Sequence, residues 1–84
     1  MIKLIKVTKL DDYKIALEFS DGSHAVADLS YLLSFGTSLT EPLKDQAFFD
    51  RFFIDAGALC WKHGLELSGS SLHMKFVQTD ANVA

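Results

Sequence analysis

The sequence predicts an α+β domain: a small antiparallel sheet made from a three-strand meander, then a helix, a two-strand hairpin and a C-terminal helix, in two layers. Three observations point there. Tyr13, Ile15, Leu17 and Phe19 alternate with Lys14, Ala16, Glu18 and Ser20, the period of a strand with one buried face. Asp21-Gly22 follows at once, a dipeptide suited to a tight hairpin turn. Phe48, Phe49, Phe52 and Phe53 then fall at i, i+1, i+4 and i+5, which gives a helix a broad aromatic face.

Each element has its own local reason. Ile2 to Leu10 is rich in aliphatic and β-branched residues; lysines at every third position (Lys3, Lys6, Lys9) hint at helix, but Ile5, Val7 and Thr8 favour a strand, and it reads as a strand with room for a bulge. Asp11-Asp12 marks a turn. If Asp21-Gly22 is a two-residue loop, Phe19 pairs with His24, Leu17 with Val26 and Ile15 with Asp28. His24 then shares the apolar face, while Ala25 and Ala27 lie on the other face with Ala16, where small residues let a helix or second subunit approach. Ser30 is the expected cap of a short turn through Tyr31-Leu32-Leu33, and Gly36 the positive-φ residue of the loop that follows. Asp45 is the expected N-cap of the Phe-rich helix. Ile54 to Trp61 reads as a fourth strand, and His63-Gly64 turns it into a short strand at Leu65-Glu66-Leu67. Ser68 caps a last helix carrying Leu72 and Phe76, and residues 79–84 read as a frayed tail.

Composition bounds the function. The chain has 84 residues with a formal charge of −3; 49% are hydrophobic, and seven are Phe. That is one domain, 1–84, with enough aromatic surface to fold without a disulfide or metal. One cysteine excludes a disulfide scaffold. Charged residues interrupt every apolar stretch long enough to cross a membrane, and no secretory h-region is visible, so a cytoplasmic protein is expected. Net acidity gives no electrostatic reason to bind phosphate backbones, so direct nucleic-acid binding is not expected, and the chain stops too soon after its last helix for a helix-turn-helix.

The candidate chemistry is sparse. Cys60-x-x-His63 is half of a zinc pattern with no second cysteine, and Cys60 beside Trp61 reads as a small buried hydrophobe. His73 follows Ser70-Ser71-Leu72 with no strained elbow or glycine pattern and reads as solvent-facing. Asp21 is explained by its turn. No catalytic residue, metal ligand or cofactor is therefore expected. Lys3, Lys6, Lys9 and Lys14 read as solubilising edge lysines, with a patch for an acidic partner or RNA as the alternative. The Phe-rich face exceeds what one helix needs to cover a small sheet. The expected partner surface comprises Phe49, Phe53 and Trp61 together with Ala25 and Ala27.

Phe19-Ser-Asp-Gly, Asp28-Leu-Ser, Pro42-Leu43, Phe48, Trp61-x-x-Gly64 and Leu67-Ser-x-x-x-Leu72 stand in an order and at distances that resemble the small bacterial domain-of-unknown-function family numbered 2442, over roughly residues 5–73. Gly69 departs from it, standing where that family commonly has a helix-starting proline, and so does Lys62-His63, where a more turn-forming pair is usual. The resemblance implies an α+β fold, the same as the N-terminal domain of some helix-turn-helix regulators, and brings no catalytic residues. Together with the absent catalytic constellation and the surplus aromatic face, it points to a non-enzymatic protein-interaction domain, an antitoxin-like or regulatory partner of a small protein encoded beside it; a homodimer, which would relieve the small size of the core, is the other partner expected. The alternative is a transcription-related regulator acting through a fused or partner DNA-binding segment. A small enzyme ranks last.

Overall fold

A computed structural model describes residues 1–77. In chain order come β1 (Leu4–Lys9), β2 (Lys14–Phe19), β3 (His24–Asp28), 3₁₀ turns over Leu29–Ser34 and Glu41–Lys44, α1 (Gln46–Phe49), β4 (Phe53–Asp55), β5 (Ala58–Cys60), β6 (Glu66–Leu67) and α2 (Gly69–Phe76). The class is α+β, as the alternation and turn signals indicate. The strands form two antiparallel three-stranded sheets, β1-β2-β3 and β4-β5-β6, rather than one. The start of β1 bridges them. Leu4 N–H donates to the Gly57 carbonyl at 2.9 Å, while Ser20 N–H donates to the Lys3 carbonyl at 2.8 Å. The bulge in β1 is present: the register shifts between Leu4, opposite Phe19, and Lys6, opposite Glu18.

The β2–β3 register differs by one residue from the two-residue-loop expectation. Leu17 faces Ala25 and Ile15 faces Ala27. The loop is Ser20-Asp21-Gly22: Phe19 N–H donates to the Ser23 carbonyl at 2.9 Å, and Gly22 N–H donates back to the Phe19 carbonyl at 2.9 Å. Only Gly22 needs the left-handed conformation (φ 87°), so this is a three-residue turn, which Asp21 steadies by accepting the Ser23 N–H at 2.9 Å. A slip of one residue moves every side chain to the opposite face. Ala25 and Ala27 therefore face the core, where Ala27 is fully buried, and His24 and Val26 face outward. The expectation that the two alanines form an outer docking face is overturned.

The same turn recurs in the second sheet. Trp61 N–H donates to the Leu65 carbonyl at 2.9 Å, and Gly64 N–H donates to the Trp61 carbonyl at 3.0 Å. Both hairpins are thus aromatic-x-x-Gly units whose leading ring, Phe19 or Trp61, is buried.

The Phe-rich helix is much shorter than its spacing predicts. Asp45 caps it, accepting the Ala47 N–H at 3.1 Å, but α1 ends at Phe49. Phe53 begins a strand instead. The stretch read as one strand, Ile54 to Trp61, is a hairpin: Ala56 (φ 52°) and Gly57 (φ 81°) form the turn between β4 and β5. The consecutive positive φ values have the twist that antiparallel strands require. Pairing of β4 with β5 supplies a ladder that one more helical turn would forfeit.

Phe49 and Trp61 lie at the centre of the core, 0% and 2% exposed, so neither is partner surface. Their ring centroids are 5.8 Å apart, and Trp61 Nε1–H donates to the Phe49 carbonyl at 2.9 Å. The end of α1 is satisfied by a buried indole. Tyr13 meets the Phe49 ring edge-on at 4.6 Å and donates its hydroxyl to the Leu43 carbonyl at 2.8 Å. The caps divide. Ser68 accepts the Ser71 N–H at 3.1 Å, as expected, whereas the turn after β3 is capped by Asp28, which accepts the Ser30 N–H at 3.0 Å. Ser30 is the residue capped rather than the cap. The tail expected over 79–84 lies outside the described residues.

Candidate interaction surface

Of the five residues expected to meet a partner, Phe53 alone is well exposed, at 44%. It lies across from Cys60, which lies across from Glu66, on the outward side of the second sheet. The Phe53 and Glu66 side chains flank a shallow depression of about 210 Å³ with Cys60 and Trp61 at its floor. Cys60 is buried, and its thiol points to the Ala58 carbonyl and Glu66 Oε2, each at 3.7 Å. Burial first, and the Glu66 charge second, push the thiol above its ordinary pKa. That is the opposite of what a nucleophile or metal ligand needs, since only the thiolate reacts.

The histidines are held by structure. His63 Nε2 lies 2.7 Å from the Leu39 carbonyl, and its ring meets Phe48 edge-on at 4.9 Å. That contact makes Nε2 the protonated nitrogen and leaves Nδ1 buried without a partner. His73, expected to face solvent, has its Nε2 3.0 Å from Asp21 Oδ2 and its ring edge-on to Phe19 at 5.1 Å. Asp21 does more than turn the chain. Hydrogen bonds from the Ser23 hydroxyl and N–H, then His73, lower its pKa to about 2. Among the described residues, no three His, Cys, Asp or Glu side chains gather closely enough to hold a metal ion.

A second depression, of about 440 Å³, is lined by Asp12, Tyr13, Lys14, Asp28 and Ser30. It mixes both charges, and the Tyr13 hydroxyl is already bonded to the chain. The lysines do not form a continuous patch. Lys9 pairs with Asp50 and sits 5.4 Å from the Phe49 ring centroid. Lys6 lies opposite Glu18, and Lys14 opposite Asp28.

The surface that remains is the outer face of the first sheet. Its rows run Lys6–Glu18–His24 and Thr8–Ala16–Val26, with Lys14–Asp28 beyond. The small Ala16 at its middle leaves the face low, and Val26 is 59% exposed at its margin. The two-residue-loop register hides this face by placing Ala25 and Ala27 on it; the one signal in the sequence is a β-branched Val26 between two alanines.

Residues 4–78 match a family model described as protein of unknown function (DUF2442). No curated protein and no solved structure matches the chain. No described helix is long and apolar enough to cross a membrane.

Proposed function

The chain belongs to the DUF2442 family, and from that premise we propose that it acts without catalysis, in the cytoplasm, as a protein-interaction domain: an antitoxin-like or regulatory partner of a small protein encoded beside it. The observation that supports this reading most directly is the outer face of the β1-β2-β3 sheet, which no other described element covers and which has the exposed Val26 at its margin. Supporting it further, Cys60 is held as a thiol, while His63 and His73 each bond to another part of the fold. None of the three faces a nucleophile–base arrangement.

The test is co-expression of the full chain with the product of each adjacent gene, followed by tandem purification and mass measurement. A stoichiometric complex weakened tenfold or more by Ala16→Arg, with the fold intact by circular dichroism, is the expected result. Failure of every neighbouring product to co-purify would overturn the reading.

A further inference from the structure

β3 is a terminal strand of its sheet. The Phe19 N–H donates to the Ser23 carbonyl and the Leu29 N–H donates to the Tyr13 carbonyl, so the odd-numbered residues of this segment turn their backbone groups toward β2. In an antiparallel ladder the alternate residues turn theirs away. His24 and Val26 therefore present their N–H and C=O groups at the edge and Asp28 its N–H, the Asp28 carbonyl being turned into the 3₁₀ turn that this residue caps; among the described residues no turn, loop or cap bond reaches the groups at the edge. Edges of this kind are normally blunted by lysine, proline or a bulge. The sequence HAVAD carries none of these devices.

The strand is also complementary to itself. Laid antiparallel against a second copy about Val26, it places Val26 opposite the partner's Val26 and His24 opposite the partner's Asp28. These are the residues whose backbone groups point outward, so side-chain register and hydrogen-bond register coincide. On the inner side Ala25 faces the partner's Ala27. A shift of two residues either way sets Val26 against His24 or against Asp28 and loses both matches. An odd shift pairs outward-pointing backbone with backbone already bonded to β2.

We propose that β3 is a homodimer edge, joining two copies of this chain through an antiparallel β3–β3 ladder into one six-stranded sheet; this rests on the interaction-domain reading above and names a second copy as the partner. The rows of the outer face then continue across the dyad. One runs Lys14, Asp28, the partner's His24, the partner's Glu18 and the partner's Lys6, alternating in charge character. The other joins Ala16 and Val26 to the partner's Val26 and Ala16. Asp28 Oδ1 accepts the Ser30 N–H, which leaves Oδ2 for the partner's imidazole. Cross-strand pairs of this kind stabilise a ladder modestly, and a five-residue edge is at the small end for an interface, so a dimer with a dissociation constant on the order of micromolar or weaker is expected.

The experiment is sedimentation equilibrium of the full chain from ~10 μM to ~1 mM, with amide exchange recorded at both ends. Expected are a monomer–dimer equilibrium and slowed exchange at His24, Val26 and Asp28 only at the high concentration. Val26→Pro removes one donor that points away from β2, so the monomer keeps its own ladder; it should weaken dimerisation at least tenfold with an unchanged circular dichroism spectrum. His24→Asp, which opposes two carboxylates, should weaken it several-fold, and His24→Lys should not. A monomer throughout, or exchange at these amides that is slow at both concentrations because the chain's own residues cover the edge, would overturn the proposal. A dimer indifferent to Val26→Pro would do so too. A monomer that still co-purifies with a neighbouring product overturns the dimer edge alone and leaves the interaction reading standing.

Discussion

His73 Nε2 lies 3.0 Å from Asp21 Oδ2, joining α2 to the β2–β3 loop across 52 residues of chain. The imidazole edge rests on Phe19 beneath that loop. The contact thus ties the C-terminal helix to the hairpin loop of the first sheet, beside the burial of Leu72 in the core. It depends on Asp21 being ionised, and Ser23 and His73 keep it so to about pH 2.

A lowered carboxylate pKa makes stability depend on pH in a definite direction. In the unfolded chain Asp21 titrates near pH ~4. Its contribution is therefore present in full above that value and is lost as pH falls through about 2. Asp21→Ala should lower the melting temperature at pH 7 and leave little difference from the wild type at pH ~2. Thermal scans across that window check this; an undiminished gap at the acid end would mean that the carboxylate charge is not the source.

Gly69 opens α2, where alanine is the better helix former by about 1 kcal/mol. The opposite outcome is expected here. A Cβ at Gly69 would lie 2.6 Å from the Gly57 carbonyl oxygen and 2.9 Å from Leu4 N, both backbone atoms that cannot swing aside. Gly69→Ala should therefore destabilise by ~1–3 kcal/mol, the usual cost of overpacking, as read by urea denaturation. A neutral or stabilising result would mean that α2 shifts freely.

Ala56 holds φ 52°, a strained conformation for alanine, in a turn whose second residue is Gly57. Asn-Gly is the favoured pair for such a turn. Ala56→Asn should raise stability by ~0.5–1 kcal/mol. A shift of the urea midpoint to lower concentration would contradict it.

Trp61 and Phe49 share a ring contact and a hydrogen bond. Trp61→Phe retains most of the apolar volume but leaves the buried Phe49 carbonyl unpaired, at a cost of about 1–3 kcal/mol. Phe49→Ala should cost about 3–5 kcal/mol, as large cavities do. If either ring were partner surface instead, its loss would barely move the urea midpoint.

Cys60 should react with a thiol reagent only on unfolding. Its burial, to 6% exposure, raises the thiol pKa and so keeps the reactive thiolate scarce in the folded chain. Labelling at pH ~8 should be at least a hundredfold slower in buffer than in denaturant; equal rates would show that the second sheet opens readily.

Local chemistry made much of the fold legible. The alternation from Tyr13 to Phe19 is β2, Asp45 and Ser68 are caps, and the bulge lies in the first strand. Each of these is decided within a few residues, by side-chain period or by a side-chain oxygen reaching a nearby N–H. The candidate surface was less legible. Whether the Asp21-Gly22 turn takes two residues or three depends on Ser20 and Ser23, and that single step exchanges Ala25 and Ala27 for His24 and Val26 on the outer face. Likewise, Phe48, Phe49, Phe52 and Phe53 fit one helix face as well as they fit a helix ending in a strand.

The amino-acid sequence by itself determined the class of this protein, the turns at Asp21-Gly22 and His63-Gly64, and a family membership that the match over residues 4–78 bears out. Those follow from period, conformational preference and ordered motifs, all of them local or additive along the chain. Only the tertiary structure decided which residues are surface. Phe49 and Trp61 went inward because their packing satisfies the end of α1, and the three-residue loop turned Val26 outward at a free edge. Both outcomes arise between segments far apart in sequence, where hydrogen-bond register and core packing override what any one segment prefers.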